Sequence, residues 1–187
     1  EAIIPMVRSR LAAVDLSDIS RSRLMELLYR VQTGERLRLE GSSLLSALAS
    51  LNPQSHRDAA ERIFELATSQ DQQLIDELSN DLDPLVRELS VVKLQEIGAL
   101  QEGERLTRLL GDRSPSVRTA VLRQISEKPA AKSVEALVAY ISQEKDEDLL
   151  VYAAKTLGQL KQMPIAEETL VGLLGNDSWR VRAAALD

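Results

Sequence analysis

Residues 112–120 read Asp112-Arg113-Ser114-Pro115-Ser116-Val117-Arg118-Thr119-Ala120, and the spacing within this stretch returns along the chain. Asp112 stands five residues before Val117-Arg118. Asp81 stands five before Val86-Arg87, Asp146 five before Val151-Tyr152 and Asn176 five before Val181-Arg182. A further copy, His56-Arg57-Asp58-Ala59, puts His56 in the apolar place. The intervals between successive anchors are 30, 31, 34 and 30 residues. A period of this size marks an architecture of stacked supersecondary units.

Each unit reads as two helices. The first carries the anchor, and its Pro53, Pro84 or Pro115 follows Asn52, Asp83 or Ser114, so that Pro occupies the first turn, where a missing N–H costs nothing. The second is apolar at helical spacing: Leu74, Ile75 and Leu78; Leu106, Leu109 and Leu110; Val134, Leu137, Val138 and Ile141; Leu170, Val171 and Leu174. Leu24, Leu27, Leu28 and Val31 follow the same period nearer the start. No β-branched run alternates with polar residues, and no Asn-Gly or Asp-Gly hairpin turn occurs. The expectation is an all-α chain of eleven to twelve helices joined by short loops.

The stretch Asp112 to Ala120, together with Asp177-Ser178-Trp179-Arg180-Val181-Arg182-Ala183-Ala184 and Leu150-Val151-Tyr152-Ala153-Ala154, resembles the HEAT repeats, in particular the short bacterial type also seen in phycobilin lyase subunits. The likeness runs from about 80 to 187, thins over 53–79, and reduces to a helical hairpin over 1–52. Tyr152 departs from it by standing where the pattern has Arg. The resemblance implies a right-handed α-solenoid of about five to six hairpins: a degenerate region at 1–52, then an array over 53–187 whose last repeat is incomplete. Ala and Gly at 153, 154, 158, 183 and 184 suit close helix approach. The apolar faces at Ile4, Val7 and Leu11 and at Val181 to Leu186 lack the polar caps of solenoid ends, so the chain is expected to be a fragment of a larger protein.

Composition narrows the chemistry. The chain has no Cys and one His, which removes disulfides, thiolate nucleophiles and Cys/His zinc sites. There is no HExxH, no GxxxxGK[ST], and no His-Glu pair of the kind found in iron-binding HEAT-like hydroxylases, so no cofactor or metal and no catalysis are expected. Aromatic residues make up only 3%, as small repeated Ala/Leu/Val interfaces allow. The net charge of −6 is concentrated in 51–100, where four basic side chains face ten acidic ones. That disfavours nucleic acid as a partner. No apolar run approaches a membrane span, so no membrane insertion by this segment is expected. A soluble segment is anticipated, with the cytoplasm favoured, although the absence of Cys decides no compartment.

Two kinds of site residue stand out. Arg57, Arg87, Arg118 and Arg182, with Asp81, Asp112 and Asp146, form a ladder that follows the repeat. It is read as structural, each Arg bridging to the preceding Asp and loop carbonyls, rather than as an anion site. Asp76 and Glu77, within a wider group of Asp71, Asp81 and Asp83, are candidates for partner binding. Tyr140 and Trp179 are the aromatic residues expected to reach the surface, where such rings make hot spots. His56 is expected as a partly buried helix residue. Gly34, Gly41, Gly98, Gly103, Gly111 and Gly175 are expected at turns and helix C-termini. The functional expectation is a protein-interaction scaffold whose partner is another protein or other domains of the same chain. The alternatives are a regulatory or structural segment of a larger membrane-associated or catalytic protein, and a lyase-like HEAT enzyme or chaperone acting on a cofactor-bearing partner.

Overall fold

The computed structural model describes Leu48, residues 51–102 and residues 104–186. Among these residues all regular structure is helical, and there is no strand. The α-helices are α1 (Pro53–Leu66), α2 (Gln72–Leu78), α3 (Pro84–Glu96), α4 (Arg105–Leu110), α5 (Pro115–Glu127), α6 (Val134–Ile141), α7 (Glu147–Gly158), α8 (Pro164–Leu173) and α9 (Trp179–Ala184). Short 3-10 turns, Ser69–Asp71 and Ala131–Ser133, lead into α2 and α6. The degenerate region assigned to 1–52, the apolar faces at Ile4 to Leu11 and Leu24 to Val31, Gly34, Gly41 and Gly103 lie outside the described residues, apart from Leu48, Leu51 and Asn52.

Helix starts follow the sequence signals. Pro53, Pro84 and Pro115 each open a helix, and Pro164 opens a fourth. The Asn52 side chain accepts the Ser55 N–H at 2.9 Å, while Asp83 accepts the Leu85 N–H at 3.0 Å. Thr68 and Asp71 form a reciprocal capping box that fixes the turn between α1 and α2. After α3 the chain reverses through Gly98, whose φ of 77° lies in the left-handed region that side chains disfavour. A Cβ there would meet nothing within 4 Å. Gly98→Ala is therefore expected to cost about 1 kcal/mol through backbone strain alone, measurable as a lower denaturation midpoint with unchanged slope.

The chain divides into two compact units, residues 1–90 and 91–187. In the first, Ala59, Ala60, Ile63 and Phe64 bury one face of α1, and Ile75, Leu78 and Val86 are buried on α2 and the start of α3. In the second, the helices touch in a regular order. Helix α5 contacts α7, and α7 contacts α9; α4 contacts α6, and α6 contacts α8. Within successive pairs, α4 touches α5 and α6 touches α7. Each helix thus packs on the one after next. Ala153 and Ala154 on α7 are fully buried, and Ala184 on α9 nearly so, as close approach requires. Ala183 was expected to share that role but is exposed, because the helix turns it to the solvent side of Val181 and Ala184.

The 34-residue interval has a local cause. Aligned on its buried side chains, Leu137-Tyr140-Ile141 of α6 takes the places of Leu106-Leu109-Leu110 in α4 and Ile75-Leu78-Ser79 in α2. The extra residues therefore fall after Ile141, in the loop that carries Glu144.

Candidate functional site

The recurring Asp or Asn builds the loop ahead of each anchor helix. Its carboxylate or amide oxygen accepts the N–H two residues on: Asp81 from Asp83 at 2.8 Å, Asp112 from Ser114 at 2.8 Å, Asp146 from Asp148 at 3.0 Å and Asn176 from Ser178 at 2.9 Å. These are Asx turns, which Asn satisfies as well as Asp. That explains the exchange at 176. Asp146 also caps α7 by accepting the Leu149 N–H.

The recurring Arg locks the same loop from inside. Nη1 donates to the backbone carbonyl six residues earlier: Arg87 to Asp81 at 2.8 Å, Arg118 to Asp112 at 2.9 Å and Arg182 to Asn176 at 2.8 Å. Arg87 adds Leu82 O and Arg182 adds Asp177 O. Each of these Args thus bonds the carbonyl of the preceding Asp or Asn, and a side-chain oxygen of that residue accepts in the turn. Two members of the ladder also reach the following loop, 26 residues on: Arg57 Nε donates to Asp83 at 2.5 Å and Arg118 Nε to Glu144 at 2.8 Å.

Glu144 is the focus of a polar cluster in the second unit. It accepts Arg118, the Tyr140 hydroxyl, and the N–H groups of Lys145 and Asp146. Burial alone would raise its pKa. The Tyr140 hydroxyl, the two backbone N–H groups and the Arg118 guanidinium outweigh that and hold it at about 2. Burial and the neighbouring Glu144 charge push the Tyr140 phenol well above its ordinary value, against the pull of Arg118. For Arg118, burial is outweighed by Tyr140 and Glu144, which hold its charge more firmly. Tyr140 was expected at the surface and is instead only 8% exposed, because it occupies the core place that Leu109 fills in α4. Asp146 is held by the first turn of α7, whereas Glu144 is held by Arg118 and Tyr140.

In the first unit the acidic residues are similarly engaged. His56 has Nδ1 3.0 Å from Leu48 O and Nε2 3.1 Å from the Asp81 carboxylate, so the single His is a strut between α1 and the next loop. Burial would raise the Asp83 pKa, but Arg57 and the Leu85 N–H bring it below its ordinary value. Asp71 serves the capping box. Asp76 and Glu77 lie half-buried on α2, where Glu77 accepts from Gln73 Nε2 at 3.3 Å and the Asp76 carbonyl accepts from Ser79 and Asn80. Among the described residues no group of three or more His, Cys, Asp or Glu is placed to hold a metal ion, and no helix is long and apolar enough to cross a membrane.

Trp179, at the first turn of α9, is 69% exposed. Arg180 beside it bonds Glu147 and Asp148 at the start of α7. Glu144 was not singled out as Arg118's partner, nor was the pair of hydrogen bonds in which Ser133 donates to half-buried Gln101 and Gln101 to Lys128 O. The only signal for Glu144 was the odd 34-residue interval. A comparison with protein-family models finds no match, and neither does a comparison with curated proteins.

Proposed function

We propose that the chain is a right-handed α-solenoid of HEAT-like hairpins serving as a protein-interaction scaffold, with no reaction catalysed. The order of helix contacts in the second unit supports the stacking, and the loop roles of the recurring Asp and Arg support the repeat. The observation that carries the binding reading lies in the first unit. Leu82, 84% exposed at a loop tip, and Leu85, also exposed, sit between Asp81, Asp83 and Glu88. Over residues 51–90 nine acidic side chains stand against three basic ones, and Arg57 and Arg87 are turned inward onto loop groups. Exposed leucines on a segment of strongly acidic balance suit a partner with basic residues around an apolar anchor.

Affinity purification tests this reading. The wild-type chain is expected to enrich a partner that the double variant Leu82→Ser, Leu85→Ser loses, with both proteins equally stable, since both side chains are exposed. No partner enriched above background, or equal capture by the variant, would count against it.

A further inference from the structure

The single His of the chain stands at a place where the repeat otherwise has Val: Val86, Val117, Val151 and Val181. Val86, Val117 and Val181 are fully buried aliphatic side chains that ask for no hydrogen bond. The His56 ring, its side chain 14% exposed, instead meets oxygen at both nitrogens. Nδ1 is 3.0 Å from Leu48 O, and Nε2 is 3.1 Å from both oxygens of the Asp81 carboxylate. A carbonyl and a carboxylate only accept. A neutral ring carries one N–H and would set the lone pair of its other nitrogen against an oxygen. The doubly protonated ring donates to both.

The charged groups around the ring agree with that state. The Asp81 carboxylate receives the Asp83 N–H and the His56 ring. Asp83, in the same loop, has its own carboxylate engaged by Arg57 Nε and the Leu85 N–H. Arg87 of α3 donates to the Asp81 and Leu82 carbonyls. Arg57, next to His56 on α1, opposes a charge on the ring, but it is paired with Asp83. A carboxylate at hydrogen-bond distance, itself only 15% exposed, favours the cationic ring over the neutral one.

We propose that His56 is a pH-sensitive clamp. Doubly protonated, it ties the Leu48 carbonyl ahead of α1 to the loop before α3; on losing a proton it keeps only one of the two ties. Its contribution is complete below about pH 6.5, the ordinary histidine value, and is lost as pH rises past the point at which the folded ring deprotonates. The clamped loop carries Leu82 at its tip, 84% exposed. An effect on partner binding there rests on the scaffold proposed above, whereas the titration of the ring does not.

Because the chain has one His, heteronuclear NMR of the full protein reads the ring nitrogens without assignment. Asp81→Asn is the matched variant. Asn holds the same turn at 176, and its uncharged amide can donate to a neutral ring nitrogen. The wild-type ring is expected to keep both protons to a pH at least about one unit higher than the ring of the variant. Equal midpoints in the two proteins, or a wild-type ring already neutral at about pH 6, would overturn the clamp. Thermal unfolding gives a second readout. His56→Val installs the residue that the repeat uses elsewhere, so the variant is expected to fold. Relative to it, wild type should gain roughly 3 °C in Tm as pH falls from about 8 to about 6. A difference in Tm that stays constant over that range would also overturn the proposal.

Discussion

Leu122→Ala is expected to destabilise the protein by about 3 kcal/mol, while Leu186→Ala changes stability by less than about 0.5 kcal/mol. The two leucines hold the same place in the repeat, five residues after Val117 and Val181. Leu122 is wholly buried, on a helix packed between α4 and α7, so truncation removes apolar contacts and leaves a cavity that close-packed neighbours fill only in part. Leu186 loses little, since most of its surface already meets water. For a chain of this length the difference is a drop in Tm of roughly 6–12 °C for the first variant and almost none for the second. Thermal unfolding followed by circular dichroism reads both. Equal effects would mean that the two positions are not equivalent and that the register of the repeat is misassigned.

Arg118→Ala should be nearly as costly, about 2–3 kcal/mol. It removes the tie to the Asp112 carbonyl and leaves Glu144 charged and buried with one fewer donor. The effect depends on pH in a defined direction. Glu144 has a folded pKa of about 2 against an ordinary 4.5, so its contribution is fully present above pH 4.5 and is lost as pH falls from there towards 2. Wild type should therefore lose stability steeply across that window. Glu144→Gln, which has no charge to titrate, should be less stable at neutral pH and flatter below 4.5. At the other end, Tyr140 favours its protonated form in the fold, so its contribution holds below pH 10 and fades as pH rises beyond it. A wild-type acid profile parallel to that of Glu144→Gln would remove Glu144 from the account.

What could be read from the sequence was whatever the repeat enforced several times over. Pro after a capping residue announced α1, α3 and α5, and the apolar spacing announced α2, α4, α6 and α8. The Asp-to-Arg spacing was read as structural, and the loops use both residues. Side-chain direction was harder. Tyr140 looked outward because Val134, Leu137, Val138 and Ile141 seemed to complete the buried face, whereas α6 is set in its repeat by a register that makes Tyr140 the equivalent of Leu109. Glu144 was hidden for a related reason. It lies in a loop lengthened relative to its neighbours, so no periodic position pointed to it, and a carboxylate three residues before a helix reads as an ordinary dipole residue. The exposure of Leu82 could not be foreseen either, because it is decided by whether another element covers it, and a local pattern carries no such information.

The claim beneath all of this is that the recurring charged residues serve the loops of the repeat, with Arg118 reaching on to the next loop at Glu144, and do not serve a ligand. A double-mutant cycle on Arg118→Ala and Glu144→Gln, measured by denaturant unfolding with no ligand present, tests it most directly. The account predicts that the single variants each lower stability and that the pair couples by at least about 1 kcal/mol. Single variants as stable as wild type, with no coupling between them, would contradict it.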